Sequence, residues 1–212
     1  MEILELIKEE AKTYFFNAPG SHDWDHVMRV FNMAVHIAEK EGADIEIVQY
    51  AALLHDLSRQ EEDSNSGRTN HAEDAKEIAE QILMEHGISN EKIDKVLHCI
   101  ESHRYRGNIK PATKEAKVLF DADKLDAIGA VGIGRAFHFA GDIKAKFHNS
   151  DKEVFSSDQY SKDDTAYREY MVKLRHVRER MQTAEGKRIA EGRHHFMVEF
   201  FERLKREVEG EL

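Results

Sequence analysis

Apolar residues recur along most of this chain at intervals of three and four, the spacing that places them on one face of an α-helix. Ile3, Leu4, Ile7, Ala11 and Tyr14 make the first such stripe over residues 2–17, and the stretch Asn17-Ala18-Pro19-Gly20-Ser21 interrupts it. Ser21 is placed to cap a second helix, whose stripe of Val27, Val30, Phe31, Ala34, Val35 and Ala38 runs on to Gly42. Asp44 is the expected N-cap of a third helix, Ile45 to Leu57, in which Ile47, Val48, Tyr50, Ala51, Ala52, Leu53 and Leu54 leave almost no polar face. Such a helix reads as buried on most sides. The polar stretch from Ser58 to Asn70 then predicts an exposed loop.

Further helices are predicted at about 71–86, 90–103, 112–127 and 128–141, with Gly87, Gly107 and Pro111 supplying breaks. From Gly141 to Asp163 the periodicity is lost, which predicts a long connection or a lid. Two more helices are expected at about 164–184 and 187–208. The last carries Phe196, Met197, Phe200, Phe201 and Leu204 on one side, a stripe that serves either core packing or a homodimer. The class implied is all-α, with the whole chain, 1–212, as a single domain.

Composition supports that class: only 2 prolines and 12 glycines interrupt a chain rich in good helix formers. The single cysteine, Cys99, forms no internal disulfide, the first residues lack the basic-then-apolar pattern of a secretion signal, and a cytoplasmic location is expected. No run approaches the roughly 18 apolar residues that a membrane-spanning helix needs. A formal net charge of −10 argues against nucleic acid and anionic membranes as partners, while leaving room for a small anionic substrate at a local basic site.

The chemistry begins where the most apolar helix ends, at His55-Asp56. Burying such a pair is costly unless it is paired or coordinated, and a metal ion is the natural partner. His26, four residues after His22 on the same helical face, and the acidic cluster Asp121-Ala122-Asp123-Lys124-Leu125-Asp126 offer further donors. Two imidazoles and two carboxylates form a mixed nitrogen and oxygen set suited to a divalent ion such as Mn, Fe, Co, Ni or Zn, with Mg also compatible. Four protein ligands leave a coordination position for water, whose acidity the ion raises, and the matching reaction is hydrolysis of a phosphate ester or anhydride. Asp121, Asp123 and Asp126 lie close enough together that spacing alone leaves the acidic ligand open.

The blocks His22-Asp23-Trp24-Asp25-His26 with Arg29-Val30, Ala51-Ala52-Leu53-Leu54-His55-Asp56, and Asp121-Ala122-Asp123-Lys124-Leu125-Asp126-Ala127 occur in the order that resembles the HD superfamily of metal-dependent phosphohydrolases. Gly129-Ala130-Val131-Gly132-Ile133-Gly134-Arg135, and the tail Met181-Gln182-Thr183-Ala184-Glu185-Gly186 with Arg188, Ala190 and Arg193, are similar to the small stand-alone microbial members. The resemblance runs from about residue 20 to 205 and implies an HD-domain helical bundle at about 20–130 with a C-terminal helical extension at about 160–209. It implies a divalent metal held by His26, His55, Asp56 and Asp123, with Asp123 preferred because it occupies the family position before a basic residue and Leu125. It also implies a small phosphorylated substrate, a nucleotide, cleaved by a phosphatase or nucleoside triphosphate pyrophosphohydrolase activity.

Around those ligands, His22 and Asp23 either orient His26 and contact substrate or simply begin a helix. Arg29, Lys124, Arg135 and Lys173 are the phosphate-binding candidates, set against the plainer role of solvated surface charges; an arginine offers the two-pronged contact that a lysine lacks. His71 and His103 match family positions that face the metal, touching phosphate or binding a second ion. Some members carry a Glu-Asp pair just beyond the His-Asp motif; this chain has Ser58-Arg59-Gln60 there, so the first acid available for catalysis beside Asp56 is Glu61. Two other readings compete: a di-iron HD oxygenase, which needs His71 and His103 as ligands, and a non-catalytic module that senses a nucleotide.

Overall fold

The computed structural model describes residues 2–16, 23–58, 71–104 and 109–212, with residues 71–74 described by their backbone. Among the described residues there are ten α-helices, one 3-10 helix and no strand, so the class is all-α as the periodicity predicts. Two compact units divide the chain, Met1–Asp123 and Lys124–Leu212.

The first unit contains α1 (Ile3–Thr13), α2 (Trp24–Glu41), α3 (Ile45–Leu54), α4 (His71–Glu85), α5 (Asn90–Ser102) and most of α6 (Lys114–Leu125). Helix α3 packs against α1, α2 and α5, which explains why it is apolar all round: Val48, Ala51, Ala52, Leu53 and Leu54 expose nothing to solvent. It begins at Asp44, whose carboxylate accepts the N–H groups of Glu46 and Ile47. It ends at Leu54 rather than at the predicted Leu57, and residues 55–58 form a buried turn. Helix α2 starts two residues later than a cap at Ser21 would place it. Its N-cap is Asp23, not Ser21, because the Asp23 carboxylate accepts the His26 N–H at 3.0 Å. At its other end Gly42, with φ 65°, takes the left-handed conformation that stops a helix without a Cβ penalty.

The second unit contains α7 (Gly129–Asp142), α8 (Asp151–Val154), α9 (Ala166–Val172), a 3-10 helix (Leu174–Arg180) and α10 (Ala184–Val208). The single helix expected at about 164–184 is therefore two pieces, broken at Lys173, where φ is −137°. No proline or glycine marks that break; Leu174, Val177 and Met181 turn inward beyond it, so packing overrides the local preference for a continuous helix. The long aperiodic segment is a folded connection. Within it Ser150 and Glu153 form a capping box at α8. Buried Asn149 donates to the Asp163 carbonyl at 2.8 Å and accepts from Thr165, while Arg168 pairs with Asp164 at 2.9 Å. The tail stripe enters the core of this unit: Met197 and Phe201 are buried, and Phe201 stacks on Tyr170 with ring centroids 4.3 Å apart.

Candidate metal centre

Two helices of the first unit end in the same way. His55 is the residue after α3, and its Nδ1–H donates to the carbonyl of Ala52 at 2.9 Å. His103 is the residue after α5, and its Nδ1–H donates to the carbonyl of Ile100. The last carbonyls of a helix have no intrahelical N–H partner, so each imidazole satisfies one of them. Because a carbonyl only accepts, each ring carries a proton on Nδ1. The third imidazole, His26, is held in the first turn of α2 by the Asp23 cap.

The Nε2 edges of these rings converge with two carboxylates. His26 Nε2 lies 3.6 Å from Asp56 Oδ2 and 3.6 Å from Asp123 Oδ1, and His55 Nε2 lies 3.6 Å from Asp56 Oδ2. One donor atom from each of His26, His55 and Asp123 fits within a 4.8 Å span. Asp56 stands outside that three-atom set but faces both imidazoles at equal distance, where it could supply a fourth donor. Its other oxygen, Oδ1, lies 3.5 Å from His103 Nε2.

These separations exceed a normal hydrogen bond. They match instead the spacing of two ligands on one ion, about 3.0–3.6 Å for bonds of about 2.1 Å opening at 90–120°. His55 shows the need most clearly. It is fully buried, and its Nε2 makes no hydrogen bond. Burial, helped by His103 and His26 and opposed by Asp56 and Asp123, pushes its pKa down to about 4. At neutral pH it is therefore an uncharged imidazole with a lone pair facing the buried Asp56 carboxylate, and a divalent cation satisfies both kinds of donor at once.

Of the three acids left open by spacing, Asp123 is the one that joins His26 and His55; Asp121 is buried, and Asp126 pairs with Arg135 at 2.8 Å. Arg29 is half-buried on α2, one turn beyond His26 on the same face. Lys124 follows Asp123 in the last turn of α6. In the second unit Arg135 has its charge met by Asp126, and Lys173 pairs with Glu169 at 2.6 Å. His22 and Glu61 lie outside the described residues, and His71 opens α4 with its backbone alone described. The two-histidine helix-end device was not read from the sequence; its signal is a histidine directly after a buried apolar run, three residues beyond the carbonyl it caps.

Residues 23–128 match the HD domain family model, and the chain belongs to the HD domain family. Its chemistry in general is that of metal-dependent phosphohydrolases. The chain is 37% identical over 210 residues to the uncharacterized protein YpgQ of Bacillus subtilis, covering 97% of this chain and 94% of that protein. The crystal structure of YpgQ in complex with ADP superposes over 98% of each chain, with a TM-score of 0.75 and 33% identity. An HD-superfamily hydrolase from Bacillus thuringiensis is similar over 97% of this chain and 96% of its own, with a TM-score of 0.74 and 28% identity. No described helix is long and apolar enough to cross a membrane.

Proposed function

We propose that this protein is a phosphohydrolase that cleaves a nucleotide, releasing phosphate or pyrophosphate, at a divalent metal centre held by His26, His55, Asp56 and Asp123. The observation that carries the reading is the buried His55 Nε2, without a hydrogen bond and 3.6 Å from the Asp56 carboxylate. When bound, the ion supplies an acidified water and a positive charge for the phosphoryl oxygens. The chain's own part is to keep His55 neutral, to orient its ring through the hydrogen bond to the Ala52 carbonyl and to bury Asp56 beside it, where charge interactions are strong. Arg29 and Lys124 are the cations proposed to meet substrate phosphate, Arg29 from the turn after His26 and Lys124 from its place next to Asp123. Support for a nucleotide comes from the ADP complex of YpgQ. The test is release of phosphate and of pyrophosphate from a nucleotide panel with Mn, Mg, Co or Ni. Release of one product from a subset of nucleotides identifies the bond and the substrate; release of neither product from any of them contradicts the reading.

One observation favours a two-metal alternative. The oxygens of Asp56 face different imidazoles, Oδ2 toward His26 and His55 and Oδ1 toward His103, the arrangement of a carboxylate able to bridge two ions. Two irons per chain, with substrate-dependent oxygen uptake, would favour a di-iron oxygenase; a single Mn or Co supports the hydrolase.

A further inference from the structure

The second unit opens with the last two residues of α6, and two guanidinium groups of that unit hold the carbonyls that close this helix. Arg193, on α10, donates from Nη1 to the carbonyl of Leu125. Arg135, on α7, donates from Nη1 to the carbonyl of Asp126 at 3.3 Å and to its carboxylate at 2.8 Å. The Leu125 carbonyl also accepts the Ile128 N–H at 3.2 Å, and the partial negative charge that gathers at a helix C-terminus makes a fixed cation the matching group.

The approach of Arg193 depends on Gly129. A Cβ at that position would lie 2.9 Å from Arg193 Cγ and 3.0 Å from its Cβ, and the φ of +76° is one that L side chains rarely adopt. Gly132 is required for a related reason, since a Cβ there would collide with the Ala127 carbonyl as α7 begins. Gly129, Gly132, Arg135 and Arg193, scattered in sequence, thus form one fastening around the end of α6.

Asp123 stands two residues before Leu125 in the same continuous helix. Holding the Leu125 and Asp126 carbonyls keeps the last turn of α6, which carries Asp123, from fraying. We propose that Arg193, assisted by Arg135, is a positioning residue for Asp123, setting where its carboxylate stands relative to His26 and thereby the affinity of the centre for a divalent ion. The proposal rests on the metal-centre reading above.

The test is calorimetric titration of the full-length, chelator-stripped protein with Mn2+ alone, at a temperature where circular dichroism shows each variant folded. Arg193→Met keeps an apolar stem over Gly129 and removes the donors; Met197→Ala, a core truncation on the same helix, controls for lost stability. Arg193→Met is expected to weaken Mn2+ binding about tenfold, the lower end of the range for groups that orient ligands, with Met197→Ala within about twofold of wild type. Should Arg193→Met fail to fold, Arg193→Lys, which keeps the charge and loses the fork, is read by the same criterion. Equal Mn2+ affinity in wild type and the arginine variant overturns the proposal, as does an equal loss in Met197→Ala. A wild type that binds no Mn2+ overturns the metal-centre reading and the proposal with it, a result distinct from the other two.

Discussion

His55 is set up by its own helix: the Ala52 carbonyl takes the Nδ1 proton, and burial keeps the ring neutral with a pKa of about 4 against the ordinary 6.5. Because the folded value lies below the unfolded one, protons bind the unfolded chain more tightly, so His55 adds nothing to stability above about pH 7 and penalises the fold increasingly from 6.5 down to about 4. At pH 5 the penalty is roughly 2 kcal/mol. Urea unfolding of chelator-stripped protein at pH 7.5 and pH 5 should show this loss in wild type and a shallower one in His55→Gln, which does not titrate; identical slopes would refute the buried neutral imidazole. That His55 and Asp56 needed a partner was legible in the sequence, because a polar pair ends an almost wholly apolar run. The choice of Asp123 over its two neighbours came from family resemblance, and distances add that Asp126 is engaged with Arg135.

Among the elements, side-chain caps at Asp23, Asp44 and Thr183 begin three helices and Gly42 ends one of them. Asp23→Ala should lower stability by about 1 kcal/mol in thermal unfolding, through loss of the acceptor for the His26 N–H, whereas Asp23→Ser, which still caps, should hardly change it. If Asp23 does no more than cap, the serine variant also keeps Mn2+ affinity; a loss of affinity in a fully stable Asp23→Ser would show that the carboxylate itself matters to the centre. Gly129→Ala should cost about 1–3 kcal/mol, from the strained φ and the clash with the Arg193 stem, and a variant as stable as wild type would contradict both. Most helices were legible because their apolar spacing is strong and glycine or an acidic cap punctuates them. The break at Lys173 was not, since nothing local distinguishes Val172-Lys173-Leu174 and the inward turn of Leu174 and Val177 is a tertiary choice. The roles of Gly129 and Arg193 were equally hidden, as two positions far apart in sequence explain each other only once they touch.

For the molecule as a whole, a net charge of −10 sits around a centre that gathers three imidazoles and two carboxylates within the first unit. A ligand that binds the folded chain alone raises its stability, by about 2.7 kcal/mol at a hundred times its dissociation constant. For a chain of this size that corresponds to roughly 5–10 °C in melting temperature. Mn2+ should therefore raise the melting temperature of wild type by that amount and chelator should remove the gain, while His55→Gln responds to neither. Whether this cluster binds a metal that drives phosphohydrolysis is decided by metal-dependent product release from wild type beside His55→Ala and Asp56→Ala, both still folded. Phosphate or pyrophosphate release should require added metal and fall at least a hundredfold in each variant; release that persists in either variant, or that ignores chelator, would rule out the metal centre as the source of activity.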